Sequence, residues 1–384
     1  MAGLSTMVDQ ASLYRSRRQQ VIESAEAGDL EAVIIYGNLY APGAIQHLTG
    51  FLPRRDAYLL VGRDAPHELF VQFFNHVPNA RELAAVPLVS WGGPESAVAV
   101  ATRVRSGPRL PRRLGLVGPI PHQQHHRLVS ELPGVELVDM SALFGESRLV
   151  KDRAEIEQTR RGAALCDEAL AHLIDSVSPG ATERGLGAAV GSYCASRGGE
   201  IGICFLLTTS MGGEGRYVPA QHWSDRVLES GDMVVVELSA GYRGHTGQLL
   251  RTIVLGEPPD LVVELHRVAT TAFNAIANLV APGARASDLL AAASVIDDAG
   301  FTVCDDVVHG YGGGYLPPVL RTPTTQHVPL PDLELEPGMM LVVQPNVITP
   351  DLRVGVQTGE LLLVTEDGHE PLHGFERGLI SADV

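Results

Sequence analysis

The sequence is short of basic charge: 29 Lys and Arg stand against 45 Asp and Glu, a formal net charge of −16. Nucleic acid and anionic membrane surfaces call for clustered Lys and Arg, so neither is an expected partner. Cysteine is scarce. Cys166, Cys194, Cys204 and Cys304 are scattered with no CxxC pair, which argues against a zinc knuckle or a disulfide framework and for reduced core thiols. No uncharged apolar run is long enough to span a bilayer, and the N-terminal MAGLSTMVDQASLYRSRRQQ has no apolar h-region. A cytoplasmic location is expected. There is no short-period repeat or low-complexity segment. What remains is a chain of 384 residues, long enough for two or three domains of ~150 residues, with a small molecule as its expected partner.

The first part alternates short apolar runs with helix-forming segments: EAVIIYG, AYLLVGR and LGLVG read as strands, giving an α/β pattern. The texture changes near Lys151. VKDRAEIEQTRRGAALCDEALAHLIDSV has helical periodicity, with Asp152 and Glu155 spaced as an N-terminal capping box. A domain boundary is expected just before it, giving domains 1–147 and 148–384. The second part carries strands of Val and Leu, DMVVVELSAGYRG, QLLRTIVLG, GMMLVVQPNVIT and GELLLVTEDG. Helices over PDLVVELHRVATTAFNAIANLV and ASDLLAAASVIDDAG lie between them. Helices set against paired strands define an α+β class.

Six stretches in series resemble a known family: IQHLTGFLPRRDAYLLV, SRLVKDRAEIEQTRRGAALCDEAL, SDRVLESGDMVVVELSAGYRGHTGQLLRTIVLG, HGYGGGYLPPVL, LEPGMMLVVQPNVI and GVQTGELLLVTEDG. They resemble the pita-bread (M24-type) family of creatinase, aminopeptidase P and prolidase. The implied architecture is a C-terminal pita-bread domain preceded by a smaller α/β creatinase-type N-terminal domain. The resemblance also implies a homodimer.

The departures from the family pattern are chemical. Its peptidases hold two divalent metals with two Asp, one His and two Glu. At the matching positions this chain has Glu237 for the first Asp, Gln248 for the second and Gln344 for the first Glu. The histidine falls on His309 if one residue is deleted before Pro317 and Pro318; without a gap it falls on Gly313. The second Glu falls on Gly359 or, with a slip of one, on Glu360. Neutral amide oxygens are weak ligands for dications, so no binuclear metal site and no cofactor are expected; a single weakly held metal on Glu237, His309 and Glu360 is the alternative. Creatinase, which works without metal, is the precedent within the resemblance. His309 or His222 would shuttle a proton and Glu237 would orient or charge-balance it. Gln248, Gln344, Gln357, Glu360, Tyr311, His245, Arg54 and Arg55 would hold substrate, with Arg54 and Arg55 placed where creatinase-like dimers reach into the partner's site.

The glycines of HGYGGGYLPP do not form a phosphate loop, because no Lys-Ser/Thr follows and prolines stand where a helix would begin. They are expected to let the backbone pass close to a ligand, with His309 and Tyr311 facing it. The histidines of PHQQHH, from His122 to His126, read as solvated surface. The expected activity is metal-independent, creatinase-like hydrolysis of a C–N bond in a small polar, carboxylate-bearing nitrogenous substrate. Xaa-Pro peptidase activity is not expected. A metal-free lyase or isomerase, or a non-catalytic binding module, is the alternative reading.

Overall fold

A computed structural model of the chain describes residues 3–63, 65–212, 216–312 and 314–382. The chain divides between Ser147 and Arg148 into two compact units. In the first, six strands form a mixed sheet: β1 (Ala32–Gly37), β2 (Ala57–Gly62), β3 (Ala65–Val71), β4 (Leu88–Trp91), β5 (Arg113–Val117) and β6 (Glu136–Asp139), in the order β4-β3-β2-β1-β5-β6. Strand β1 runs antiparallel to β2 and parallel to β5. Val33 and Ile35 belong to one apolar cluster and Ile34 and Tyr36 to another. Both faces are therefore covered, as a near-continuous apolar run requires.

The second unit is built on a long sheet with the path β12-β11-β13-β16-β10-β8-β7. Its strands are β7 (Glu200–Ser210), β8 (Asp232–Tyr242), β9 (His245–Thr246), β10 (Leu249–Val254), β11 (Val308–Tyr311), β12 (Tyr315–Leu320), β13 (Met340–Val343), β14 (Asn346–Ile348), β15 (Gly355–Gln357), β16 (Gly359–Val364), β17 (His369–Pro371) and β18 (Leu379–Ser381). β14 and β15 pair as a separate ribbon. The β-branched run of β8 suits a strand packed on both sides. Val234, Val236 and Leu238 meet the helices Arg153–Ser176 and Glu183–Ser196, and Met233 and Val235 meet the helix Asp260–Ala277.

The helix Arg153–Ser176 starts at the expected capping box. The Asp152 side chain accepts from the Glu155 N–H at 2.8 Å, and Glu155 accepts from the Asp152 N–H at 3.2 Å. Such caps contribute about 1 kcal/mol. Buried Glu183 fixes the start of the next helix to its surroundings: its carboxylate accepts from Thr208 N at 2.8 Å, Arg216 Nη2 at 2.7 Å and Ser224 N at 2.7 Å.

Candidate functional site

Strand pairing fixes which side chains share a face. Leu250 on β10 lies opposite Glu237 on β8 and opposite Gly359 on β16, so all three positions point to one side of the sheet. Gln248, two residues before Leu250, joins that side. His309 on β11 lies opposite Val342 on β13, and Gln344 follows two residues later on the same face. Four polar side chains from neighbouring strands thus converge. Gln248 Nε2 is 2.9 Å from Glu237 Oε1, 3.2 Å from Gln344 Oε1 and 3.4 Å from His309 Nε2. All four are buried, with exposures of 4 % for Glu237, 2 % for Gln248, 0 % for His309 and 1 % for Gln344.

The network extends away from β10. Gln344 Nε2 donates to Asp306 Oδ2 at 3.2 Å, and the Tyr315 hydroxyl donates to Asp306 Oδ1 at 2.9 Å. The Tyr315 ring stacks on His309, centroids 4.0 Å apart and planes 11° from parallel. His309 Nδ1 lies 2.9 Å from the Gly310 carbonyl, which places the ring proton on Nδ1 and leaves Nε2 with its lone pair toward Gln248.

Burial sets the protonation states. It pushes the Glu237 carboxyl up to about 8, with the charge of Asp305 adding to the effect. Burial and then Asp305 push Asp306 up to about 8 as well. Burial lowers His309 to about 4, so the imidazole is neutral near pH 7. The cluster therefore carries little net charge at neutral pH.

The other candidates fall elsewhere. Glu360, in the alternative register, lies opposite Leu249 on the other face of the sheet. It is tied to Arg251 Nη2 at 3.0 Å and to Arg377, so the alignment resolves on Gly359 and Glu360 is an ion-pair residue of the fold. At Gly359 a Cβ would lie 2.4 Å from the Val343 carbonyl and 2.6 Å from Gln344 Cα. Tyr311 shares the face with His309, but its hydroxyl bonds Ser239 Oγ at 2.9 Å and Thr246 Oγ1. Gln357 is buried, and its Oε1 has no hydrogen-bond partner among the described residues. His245 pairs across from Tyr242 at the β8–β9 turn. His222 is exposed on the segment between β7 and β8. In the first unit Arg54 and Arg55 are exposed, and Arg55 lies 5.4 Å over the Phe73 ring.

The glycine run has a packing role as well. A Cβ on Gly310 would lie 2.2 Å from the Pro317 carbonyl, and Gly314 has φ +143°. Gly310 lets β11 and β12 fold on each other across a bulge at His309/Gly310. Gly313 lies outside the described residues. Asp305, Asp306 and Tyr315 were missed; paired carboxylates three residues before the candidate histidine were the available signal.

Residues 157–366 match the model of metallopeptidase family M24, and residues 17–150 match the creatinase/prolidase N-terminal domain. This chain belongs to metallopeptidase family M24 and combines that pita-bread domain with a creatinase-type N-terminal domain. It is similar to the Xaa-Pro dipeptidase of Pyrococcus furiosus, 23 % identical over 95 % of this chain and 100 % of that protein. A probable dipeptidase PepE of Mycobacterium tuberculosis is 30 % identical over 68 % of each chain. The crystal structure of the prolidase from Pyrococcus horikoshii superposes with a TM-score of 0.82 at 21 % identity, covering 95 % of this chain and 100 % of that one.

These relatives overturn the creatinase-like expectation. Proteins matched along the whole chain are named Xaa-Pro dipeptidases and prolidases, and none of them is named a creatinase. The expectation against Xaa-Pro activity falls with it. What the family membership supports for the chain is a hydrolase of the peptidase class.

Family membership also implies metal, and the donor set does not fit one. Among the described residues no group of three or more His, Cys, Asp and Glu is arranged to hold a metal ion. Of the five positions, one carboxyl and one imidazole remain, two are carboxamides and Gly359 has no side chain. Two dications need several anionic oxygens, and these five positions supply a single carboxyl.

Proposed function

We propose that this chain acts on small peptide amides, with Xaa-Pro dipeptides the leading class. The observation that supports this most is coverage: the likeness to Xaa-Pro dipeptidases runs through both units, 95 % of this chain against the entire Pyrococcus furiosus protein. The buried polar cluster suits such a substrate. Glu237, protonated near neutral pH, can give a proton to the leaving nitrogen as a water oxygen bonds to the carbonyl carbon and the C–N bond breaks. Gln344 keeps the orientation of the cluster through Asp306.

The test is a panel of Xaa-Pro dipeptides and matched non-prolyl dipeptides incubated with the purified chain, with and without added manganese, cobalt or zinc. Proline release is followed by chromatography and binding by calorimetry. Release of proline that is lost in Glu237→Gln supports the reading. Binding without release refutes hydrolysis, and the absence of both refutes the substrate class.

A further inference from the structure

We propose that the carboxamide nitrogen of Gln248 occupies the place of a cation at the centre of this unit, joining three strands through their polar side chains and closing the centre to divalent metals. Three acceptors converge on that one nitrogen: Glu237 Oε1 at 2.9 Å from β8, Gln344 Oε1 at 3.2 Å beyond β13 and His309 Nε2 at 3.4 Å from β11. A site in which acceptors alone point inward is one that a cation would fill. Here a neutral N–H group fills it.

The direction of each hydrogen bond supports this. His309 gives its proton to the Gly310 carbonyl through Nδ1, so Nε2 can only accept. Gln344 donates from its own nitrogen to Asp306, so its oxygen is the atom left to accept from Gln248. The Gln248 oxygen faces the Ser239 hydroxyl at 3.4 Å, so the nitrogen points at the three acceptors. A reversed amide would set an oxygen against them.

Geometry also blocks the fifth position. At Gly359 even a methyl group would run into the Val343 carbonyl and the Gln344 backbone, so no side chain can enter there without moving β13. A metal would have to expel the Gln248 amide and would find one carboxyl and one imidazole in return. Whichever peptide the chain takes, the strands are held together by the chain itself.

The test uses the full chain, purified without chelator, with manganese, cobalt and zinc as probes. Wild type should carry under about a tenth of an equivalent of metal, and its melting temperature should not move with about 1 mM of any of the three. Gln248→Asp/Gln344→Glu, which turns two amides into carboxylates, should gain a melting temperature that rises with added metal. Selective 15N-glutamine labelling gives a readout independent of that variant. The Gln248 side-chain N–H signals, identified by their loss in Gln248→Met, should exchange about 100-fold more slowly than those of an exposed glutamine. One equivalent of metal in wild type that disappears in His309→Ala overturns the proposal. So does fast exchange of the Gln248 amide, or a folded double variant indifferent to metal.

Discussion

Replacing Glu360 by Gln separates a fold residue from a site residue, because its carboxylate is held by two guanidinium groups on the face away from Glu237. Arg251 is 0 % exposed and meets Glu360 Oε2 at 3.0 Å, while Arg377, 36 % exposed at its side chain, meets the other oxygen. Among the described residues Arg251 otherwise bonds only to carbonyls, including those of Phe375 at 2.8 Å and Glu376 at 3.2 Å. Removing the counter-charge leaves a buried guanidinium uncompensated, and broken buried pairs cost about 3–5 kcal/mol. The lower end applies here because Gln retains one acceptor and Arg377 can turn to water. At roughly 2–4 °C per kcal/mol for a unit of this size, the melting temperature should fall by about 6–12 °C. Calorimetric melts with circular dichroism read the shift, and dipeptide binding is measured at a temperature where both proteins are folded. Affinity should be unchanged. A variant that melts within about 1 °C of wild type, or one of wild-type stability that no longer binds, refutes the assignment of Glu360 to the fold.

Glu237 gives a pH signature of defined sign. Its folded value, about 8, lies above its ordinary 4.5, so its contribution is complete below pH 4.5 and is lost as pH rises toward 8. Asp306 acts in the same sense, whereas His309, lowered from 6.5 to about 4, contributes fully above pH 6.5 and loses that contribution as pH falls. Between pH 8 and 6.5 each of these carboxyls contributes up to about 1.4 kcal/mol per pH unit on acidification, while buried Lys151, lowered to about 7, acts in the opposite sense; the difference between wild type and Glu237→Gln in urea titrations isolates Glu237, the variant gaining less on acidification, and equal slopes would exclude the buried protonated carboxyl. Gly359→Ala should cost about 1–3 kcal/mol by overpacking against β13, and wild-type stability would show that β13 gives way. Glu183→Ala should cost about 3 kcal/mol and speed hydrogen exchange at the Thr208 and Ser224 amides, which lose their acceptor; unchanged protection at both would contradict the anchoring role.

Much of this architecture is legible in the sequence because its signals are local or serial. The capping box at Asp152 and Glu155 depends on residues three apart, and the order of the matched stretches identifies the fold. The failures are non-local. Gly359 and Glu360 are neighbours in sequence, and only the pairing of β16 with β10 shows that they face opposite sides, where a slip of one residue exchanges a site for an ion pair. The glycines after His309 suggest ligand approach, whereas Gly310 is crowded by the Leu316 and Pro317 backbone of β12 across the bulge. Substrate class is misleading for a different reason: the replaced ligands suggest creatinase chemistry, whereas the whole-chain likeness is to proteins named dipeptidases.

The composition of the inner face follows from charge balance. Carboxylates that surround metal in a metallopeptidase would, without it, be several buried like charges with no counter-ion, a costly arrangement in a low-dielectric interior. A change from Glu to Gln keeps the size and planar head of the side chain while removing the charge and adding a donor. Gln344 uses both ends of its amide, accepting from Gln248 and donating to Asp306. Glu237 is longer by one methylene than the Asp of the family pattern, and its carboxyl lies within 2.9 Å of the Gln248 nitrogen. Apolar replacements would have left His309 Nε2 and Asp306 short of donors in a region excluded from water. The polar set therefore persists because each member satisfies another, so substitutions within it should be strongly non-additive, with Gln248 coupled to both Glu237 and Gln344.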